Sequence, residues 1–319
     1  MITTSSERVP APPSVAPGTG ARILRGAPVA SAIRERVVGD LGVFRSRHGF
    51  APTLAIVIVG EDAASTVYVQ QIVRSCGMVG VPSQVVELDT GTTAARLATR
   101  IEQLNVDPLV GGIIVQMPLP PWIPVRTVVD SIAPEKDIDG IHPLNMGLMT
   151  LGFEGFLPAC AEAAVEIVKH AGFELEGRRA VVVGRSNVVG KPVQLLLMRE
   201  HCTVTVCHRR TRDLPAEIGR ADVVVTAAGS PGLVRGEMMR PGALVVDVGI
   251  NVVPEGIVGD VDFESAAAVA EAITPVPGGV GPVTNAVLME HLVRAAYAQA
   301  EGSMAWPQRK ETGRSPHAQ

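Results

Sequence analysis

Val181-Val182-Val183-Gly184-Arg185-Ser186-Asn187-Val188-Val189-Gly190-Lys191-Pro192 is the stretch that decides the fold. An unbroken apolar run suits a strand buried on both faces, and Gly184 ends it in a turn. Gly190–Glu200 reads as a helix, with Pro192 in its first turn, where a missing N–H costs little. Strand, glycine turn and helix in this order leave backbone N–H groups at a helix N-terminus, whose dipole favours phosphate. The spacing is G-x-S-x-x-x-G rather than G-x-G-x-x-G, so the segment alone fits an ordinary βα turn equally well.

The next strand adds to it. Thr203–Cys207 runs into His208-Arg209-Arg210, about 20 residues beyond the glycine turn. An acid there binds the ribose 2′-hydroxyl of NAD, whereas arginine accommodates the 2′-phosphate of NADP. No acid is present; Arg209 and Arg210 are, and Arg185 lies on the turn itself. Guanidinium forks suit phosphate geometry, which favours NADP over a merely solvated basic turn.

Outward from this unit the pattern repeats. Val223–Thr226 and Leu244–Val248 follow as strands. Toward the N-terminus, Leu54–Val59, Gln84–Leu88 and Gly112–Val115 read as strands, with helices from Asp62 to about Val79 and over Ala94–Leu104. Asp62 is placed to cap the first of these helices. Val125–Ile132 and Ala161–His170 continue the helical series, which restarts after Gly147. Short βα units imply parallel sheets with helices on both faces. The expectation is an α/β fold of two α/β lobes, the second a Rossmann-like doubly wound parallel sheet.

Composition narrows the function. The 319 residues carry 28 Lys+Arg against 32 Asp+Glu, a net charge of −4, too balanced for a dedicated nucleic-acid binder. Hydrophobic residues are 46% and charged ones 19%, too apolar for a disordered chain. No apolar run approaches the ~18–20 residues of a membrane span. Cys76, Cys160, Cys202 and Cys207 show no C-x-x-C spacing and read as reduced thiols of a cytoplasmic protein. No histidines pair at ligand spacing, so no metal is expected. Residues 1–21 lack the apolar core of a secretory signal and, like 303–319, read as flexible tails.

A further group of segments is distinctive only as a set. Tyr68-Val69-Gln70-Gln71-Ile72-Val73-Arg74 lies on the helix after Leu54–Val59. Gln116 ends a buried strand at its carboxyl edge, where open sheets bind ligands. Lys136-Asp137-Ile138-Asp139-Gly140 is a compact acidic turn, and Thr274–Pro282 is a loop too rich in Pro and Gly for helix or strand. Singly, each has a plain structural explanation: a core tyrosine, an aspartate before a turn glycine, a surface connection. Gly60–Ser65, Val115–Pro120, Pro134–Gly140, Gly184–Ser186, Asp247–Asn251, Gly259–Val261 and Pro275–Pro282 accompany them in order. Together they resemble the methylenetetrahydrofolate dehydrogenase/methenyltetrahydrofolate cyclohydrolase family over about Ile23–Leu292.

The resemblance implies a two-lobed fold with folate in the cleft and NADP as cofactor. One site would oxidise 5,10-methylenetetrahydrofolate, then hydrolyse the methenyl product to 10-formyltetrahydrofolate. Matched residue by residue, the catalytic set would be Tyr68 on the pterin side, Gln116 as the amide orienting the hydrolytic groups, and Asp139 as the carboxylate binding the pterin ring. Tyr68, Asp139, Pro277, Gly278 and Gly279 would bind substrate, and Gly184, Arg185, Ser186, Arg209 and Ile250 would line the NADP site. The implied layout is a folate-binding catalytic domain over 22–157, completed by a returning helix at 284–302, and an NADP-binding domain over 158–283. A homodimer is implied, with no nucleic-acid or membrane partner.

Two positions depart from the family pattern. The family's Y-V-x-x-K places a catalytic lysine one helical turn after the tyrosine, on the same face, and here that position is Ile72. Arg74 lies about 240° around the helix from Tyr68, and arginine stays protonated, so it is no substitute base. The family's P-C-T-P-x-G is represented by Pro158-Ala159-Cys160-Ala161-Glu162-Ala163, which keeps only the first proline. Hydride loss needs alignment but no proton transfer, whereas hydrolysis needs a group that takes and returns a proton. The expectation is a dehydrogenase whose cyclohydrolase is weak or lost. The alternatives are a fully bifunctional enzyme with another group or a water replacing the lysine, a silent folate- and NADP-binding paralogue, and an oxidoreductase for a different one-carbon or cyclic-amine substrate.

Overall fold

The computed structural model describes residues 20–60, 62–254 and 256–302, so the expected tails lie outside the described residues apart from Gly20 and Ala21. The first part of the chain runs β1 (Arg22–Ile23), α1 (Gly26–His48), β2 (Thr53–Val59), α2 (Ala63–Val79), β3 (Ser83–Leu88), α3 (Ala94–Val106), β4 (Val110–Val115), α4 (Val125–Ser131) and α5 (Pro143–Leu151). There follow α6 (Ala159–His170), β5 (Arg179–Val183), α7 (Gly190–Arg199), β6 (Thr203–Cys207), α8 (Leu214–Ile218), β7 (Val223–Thr226) and β8 (Leu244–Asp247). The chain closes with β9 (Asn251–Val253), β10 (Gly256–Val258), α9 (Phe263–Ala267), β11 (Ala272–Ile273) and α10 (Val280–Glu301).

Two parallel sheets organise the molecule. The smaller has the order β3-β2-β4. Its central strand is buried from Leu54 onward and β4 is buried throughout, as continuous apolar strands covered on both faces must be. Asp62 caps α2, its carboxylate accepting from Ser65 N–H at 2.7 Å. The larger sheet has the order β1-β11-β8-β7-β5-β6, with every pairing parallel. From β5 the chain lays β6 on one side and then β7 on the other. That reversal opens a crevice at the carboxyl ends of β5 and β7, where open α/β sheets take ligands.

Helix α10 ties the ends of the chain together. It packs on α1, α6, β4 and α2 and buries most of its length, including Val283, Val287, Leu288, Met289, Leu292 and Val293. Each such side chain contributes about 1.5–3 kcal/mol by leaving water. Gly112 lets this helix approach β4: a Cβ there would lie 2.9 Å from Leu292 Cδ1 and 2.6 Å from Ile138 Cγ2.

One sequence expectation is corrected, and one long helix is new. Thr274–Pro282 is not loop throughout, because Val280–Pro282 form the first turn of α10, where a proline lacks only an N–H that has no helical partner. Helix α1, not anticipated, spans Gly26–His48 and buries Val29, Ile33, Val37, Leu41 and Phe44 along one face.

Candidate active site

The acidic turn lies alongside β4, with Ile113 N–H donating to the Lys136 carbonyl at 2.8 Å. Its charged residues have separate tasks. Lys136 is buried and donates from Nζ to the carbonyls of Leu104 (3.1 Å) and Asp107 (2.7 Å), closing the end of α3. Asp137 is wholly buried and accepts from the N–H groups of Ile141 (3.1 Å) and His142 (2.7 Å) and from Asn145 Nδ2 (2.9 Å). Asp139 accepts no hydrogen bond from the described residues. Burial, then the neighbouring Asp137 charge, push its carboxyl up to about 7. Gly140, at φ 66°, faces the chain entering α6, and a Cβ there would lie 2.6 Å from Pro158 N.

Around Asp139 gather side chains from three helices. Tyr68, from α2, is largely buried, and its hydroxyl is driven well above the usual phenol range by burial, then by Asp139 and Cys160. It therefore stays neutral and can donate. Cys160, in the first turn of α6, has its thiol pushed up to about 11 by burial, against a hydrogen bond with the Thr284 side chain from α10. Ile72, one turn after Tyr68, is 0% exposed and packs in the apolar core that Tyr68 and Cys160 also border. Arg74 is exposed. Gln116 sits at the carboxyl end of β4, its N–H donating to the Val57 carbonyl (2.8 Å) and its Nε2 to the Met117 carbonyl (2.6 Å). No described hydrogen bond joins it to Tyr68 or Asp139.

The nucleotide candidates line the carboxyl edge of the larger sheet. Gly184 takes φ 132°, a value side chains resist, and its N–H donates to the Cys207 carbonyl at 2.9 Å. Ser186 Oγ accepts from the N–H groups of Val189 (3.1 Å) and Gly190 (3.3 Å), shaping the entry to α7. Arg185 and Arg209 are exposed, the latter just beyond β6, and Ile250 is exposed just beyond β8. Pro277, Gly278 and Gly279 precede α10, and the Gly278 carbonyl accepts from Gly26 N–H at 2.8 Å. A glycine turn at a helix N-terminus with exposed guanidinium groups beside it suits a phosphorylated dinucleotide.

Behind these loops lies a frame that the sequence reading did not separate from the site. Asp247 accepts from Thr226 Oγ1 (2.8 Å) and from the N–H groups of Gly249 (2.9 Å), Asp260 (3.1 Å) and Val261 (2.9 Å). Asp260 accepts from Ala228 N–H (2.5 Å), Gly229 N–H (3.1 Å), Ser230 N–H (2.8 Å) and Asn251 Nδ2 (2.9 Å). The loops after β7 and β8 are thereby locked together. Sequence reading also missed His291 of α10, whose ring lies 2.8 Å from the Ile138 carbonyl and 2.9 Å from Glu162. A lone histidine on a buried helix, 129 residues from its acid partner, leaves no local pattern to find.

A parallel-sheet lobe with a dinucleotide crevice, joined to a lobe holding a half-buried carboxylate beside a neutral tyrosine, defines a two-lobed NAD(P)-binding α/β enzyme. Residues 24–139 match the family described as tetrahydrofolate dehydrogenase/cyclohydrolase, catalytic domain, and residues 158–300 match its NAD(P)-binding domain. The chain belongs to the tetrahydrofolate dehydrogenase/cyclohydrolase family. It is 48% identical over 277 residues to the bifunctional protein FolD of Moorella thermoacetica, covering 86% of this chain and 99% of that one. Similarity to FolD 3 of Rhizorhabdus wittichii is 47% over 287 residues, with 88% and 94% covered. The FolD dehydrogenase/cyclohydrolase structure from Campylobacter jejuni superposes with a TM-score of 0.84 at 41% identity, covering 86% of this chain and 98% of its own. The Trypanosoma brucei enzyme, solved with NADP cofactor and an inhibitor, gives a TM-score of 0.85 at 36% identity, covering 89% and 99%.

Proposed function

We propose that this chain oxidises 5,10-methylenetetrahydrofolate to the 5,10-methenyl form with NADP, and that its hydrolysis of the methenyl product is weak or lost. Bound NADP supplies a nicotinamide that accepts hydride. Gly184, Arg185, Ser186, Arg209 and Ile250 hold the dinucleotide, with Arg209 beyond β6 as the partner of the 2′-phosphate. In the other lobe the Asp139 carboxylate accepts from the pterin N–H groups, while Tyr68, kept neutral by burial, packs and donates beside it. Pro277, Gly278 and Gly279 close over the substrate from the entry to α10. Loss of hydride from the methylene carbon is driven by the adjacent nitrogen lone pair, so these residues need only align the carbon and favour the forming cation.

The observation that carries the second half is Ile72, buried in apolar packing at the place of the family's lysine. Methenyl hydrolysis requires that water lose a proton and a ring nitrogen gain one, and a positioned acid/base is worth ~10²–10⁴ in rate. Cys160 is held as the neutral thiol, and both ring nitrogens of His291 are engaged, so neither serves in the lysine's stead. Gln116 then orients substrate without a proton-transfer partner. In this assignment 22–157 with 284–302 is the folate lobe, 158–283 the NADP lobe, and the chain works as a cytoplasmic homodimer.

The test is an assay with methylenetetrahydrofolate and NADP that follows NADPH formation and decay of the methenyl chromophore separately. NADPH should form while methenyl product accumulates. Methenyl decay at full enzymatic rate would instead establish a bifunctional enzyme, and binding of both ligands without NADPH a silent paralogue. Ile72→Lys should raise methenyl hydrolysis at least ~10-fold. It should also cost about 2–4 kcal/mol of stability in urea unfolding, because an ammonium enters an apolar core.

A further inference from the structure

We infer that His291, held by Glu162, is a positioning residue: a buried imidazolium that braces the Asp139 turn and keeps the Asp139 carboxylate ionised for substrate. The role rests on the assignment of Asp139 to the pterin proposed above.

Geometry sets which atoms share the protons. His291 Nδ1 lies 2.8 Å from the Ile138 carbonyl oxygen, and Nε2 lies 2.9 Å from Glu162 Oε2. A carbonyl offers only lone pairs, so Nδ1 must carry a hydrogen; an ionised carboxylate makes the same demand of Nε2. Neutral imidazole has a single N–H, so beside an ionised Glu162 both contacts are donated only by the cation. The His291 side chain is 2% exposed, so water is no substitute partner. Glu162 stands in the first turn of α6, where the helix dipole favours its negative charge.

The charged groups facing this ring come from three elements. Glu162 approaches from α6, Asp139 with Asp137 behind it from the acidic turn, and Arg294 from α10 itself. The Phe156 ring lies 5.5 Å away and separates His291 from part of its surroundings. Burial and Arg294 act against a charge on the ring, while the Glu162 charge and the two hydrogen bonds act for it, and the net direction is upward. In the other direction, His291 pulls the Asp139 carboxyl down against the lift from burial and Asp137.

The mechanical consequence matches the electrostatic one. Ile138 immediately precedes Asp139, so the hydrogen bond from Nδ1 fixes the peptide that carries the pterin-binding carboxylate. Helix α6, helix α10 and the acidic turn are thus joined through one ring. Position 72, on α2, carries no cation, whereas the His291 ring is near enough for its charge to act on Asp139. Because both N–H groups are engaged, this cation holds charge without shuttling protons, which is what the dehydrogenase half-reaction requires.

The experiment measures kcat and KM for methylenetetrahydrofolate and for NADP from about pH 6 to about pH 8 in full-length parent, His291→Gln, Glu162→Gln and Asp139→Asn proteins. Asp139, poised at about 7, makes the parent's folate KM climb as pH falls through that value. His291→Gln should move the climb upward by about one pH unit or more, raising folate KM at neutral pH roughly five- to tenfold. Its kcat at saturating folate and its KM for NADP should change less than about twofold. Glu162→Gln should displace the profile in the same direction by less. If Asp139→Asn raises folate KM but the His291→Gln profile overlays the parent's, the inference is wrong. If Asp139→Asn leaves folate KM unchanged, the assignment of Asp139 to the pterin fails and the role of His291 falls with it. An independent arm reads the ring directly: the imidazole ¹⁵N signals present in the parent and lost in His291→Gln should report two N–H groups at about pH 8. A singly protonated ring there overturns the inference even if the variants fold poorly.

Discussion

Asp260, beside the larger sheet, is buried and Asp139, beside the smaller one, is half-buried, and their surroundings differ in kind. Asp260 and its neighbour Asp247 each accept four hydrogen bonds from loops at the carboxyl edge of the larger sheet. Asp137, in the folate lobe, is used the same way by three donors. Asp139, two residues on, accepts none from the described residues and is lifted to about 7. A carboxylate satisfied by its own protein is a strut; one left unsatisfied in a buried place is available to something else, at a cost to the fold. The lobe of the larger sheet thus presents exposed arginines on a fixed frame, while the other lobe keeps one carboxylate without a donor among the described residues.

Removing a strut should have the largest effect. Asp247→Ala leaves Thr226 Oγ1 and three backbone N–H groups without their acceptor and should destabilise the protein by about 3–5 kcal/mol in urea unfolding. An unchanged midpoint would dissolve the contrast between strut and reagent.

Asp139→Asn tests the other side with the opposite sign. Its folded value of about 7 lies above the ordinary carboxylate value of 3.8, so the native state holds this proton more tightly than the unfolded chain does. Ionisation therefore opposes folding: stability drains as pH rises from about 4 to about 7, and the whole deficit persists above that. Asparagine removes it. The variant should be more stable than the parent by about 2–4 kcal/mol near pH 8, equal to it near pH 4, and poorly active throughout. Equal unfolding free energies near pH 8 would show that Asp139 stores no such cost.

The smallest effect belongs to the exposed arginines. Arg209→Asp should weaken NADP by about 1.5–3 kcal/mol, roughly a 10- to 100-fold rise in its KM, with little change for NAD. Parent kinetics that are equal with NAD and NADP would remove the reason to assign Arg209 to the 2′-phosphate.

Strands β2, β4 and β5 were readable because apolar runs ended by Gly or Gln have few other uses, and with the alternating β6 they lie within about two residues of their expected bounds. Helix α1 escaped notice although its apolar residues recur about every fourth position. Two interior glycines, Gly39 and Gly42, argue against a helix locally, and packing against α10 overrides them. Strands β1 and β11, of two residues each, exist only by long-range pairing, β11 on β8 and β1 on β11. In the site, Tyr68, Gln116 and Asp139 were marked by the company of their motifs. The difference between Asp137 and Asp139 was not, because it depends on which backbone N–H groups each meets after folding. The same holds for Glu162 and His291, which the sequence keeps far apart.

Helix α10 has a consequence for how the protein is made. The α1, α2 and β4 on which it packs are made well before it, and its own residues are translated only after both sheets. About 150 residues separate the end of α5 from the end of α10, so at ~5–20 residues per second the newborn folate lobe waits roughly 8–30 s for its final wall. During that interval the sides of β4 and α1 destined for α10 are open to chaperones, and to any premature neighbour that offers a greasy helix.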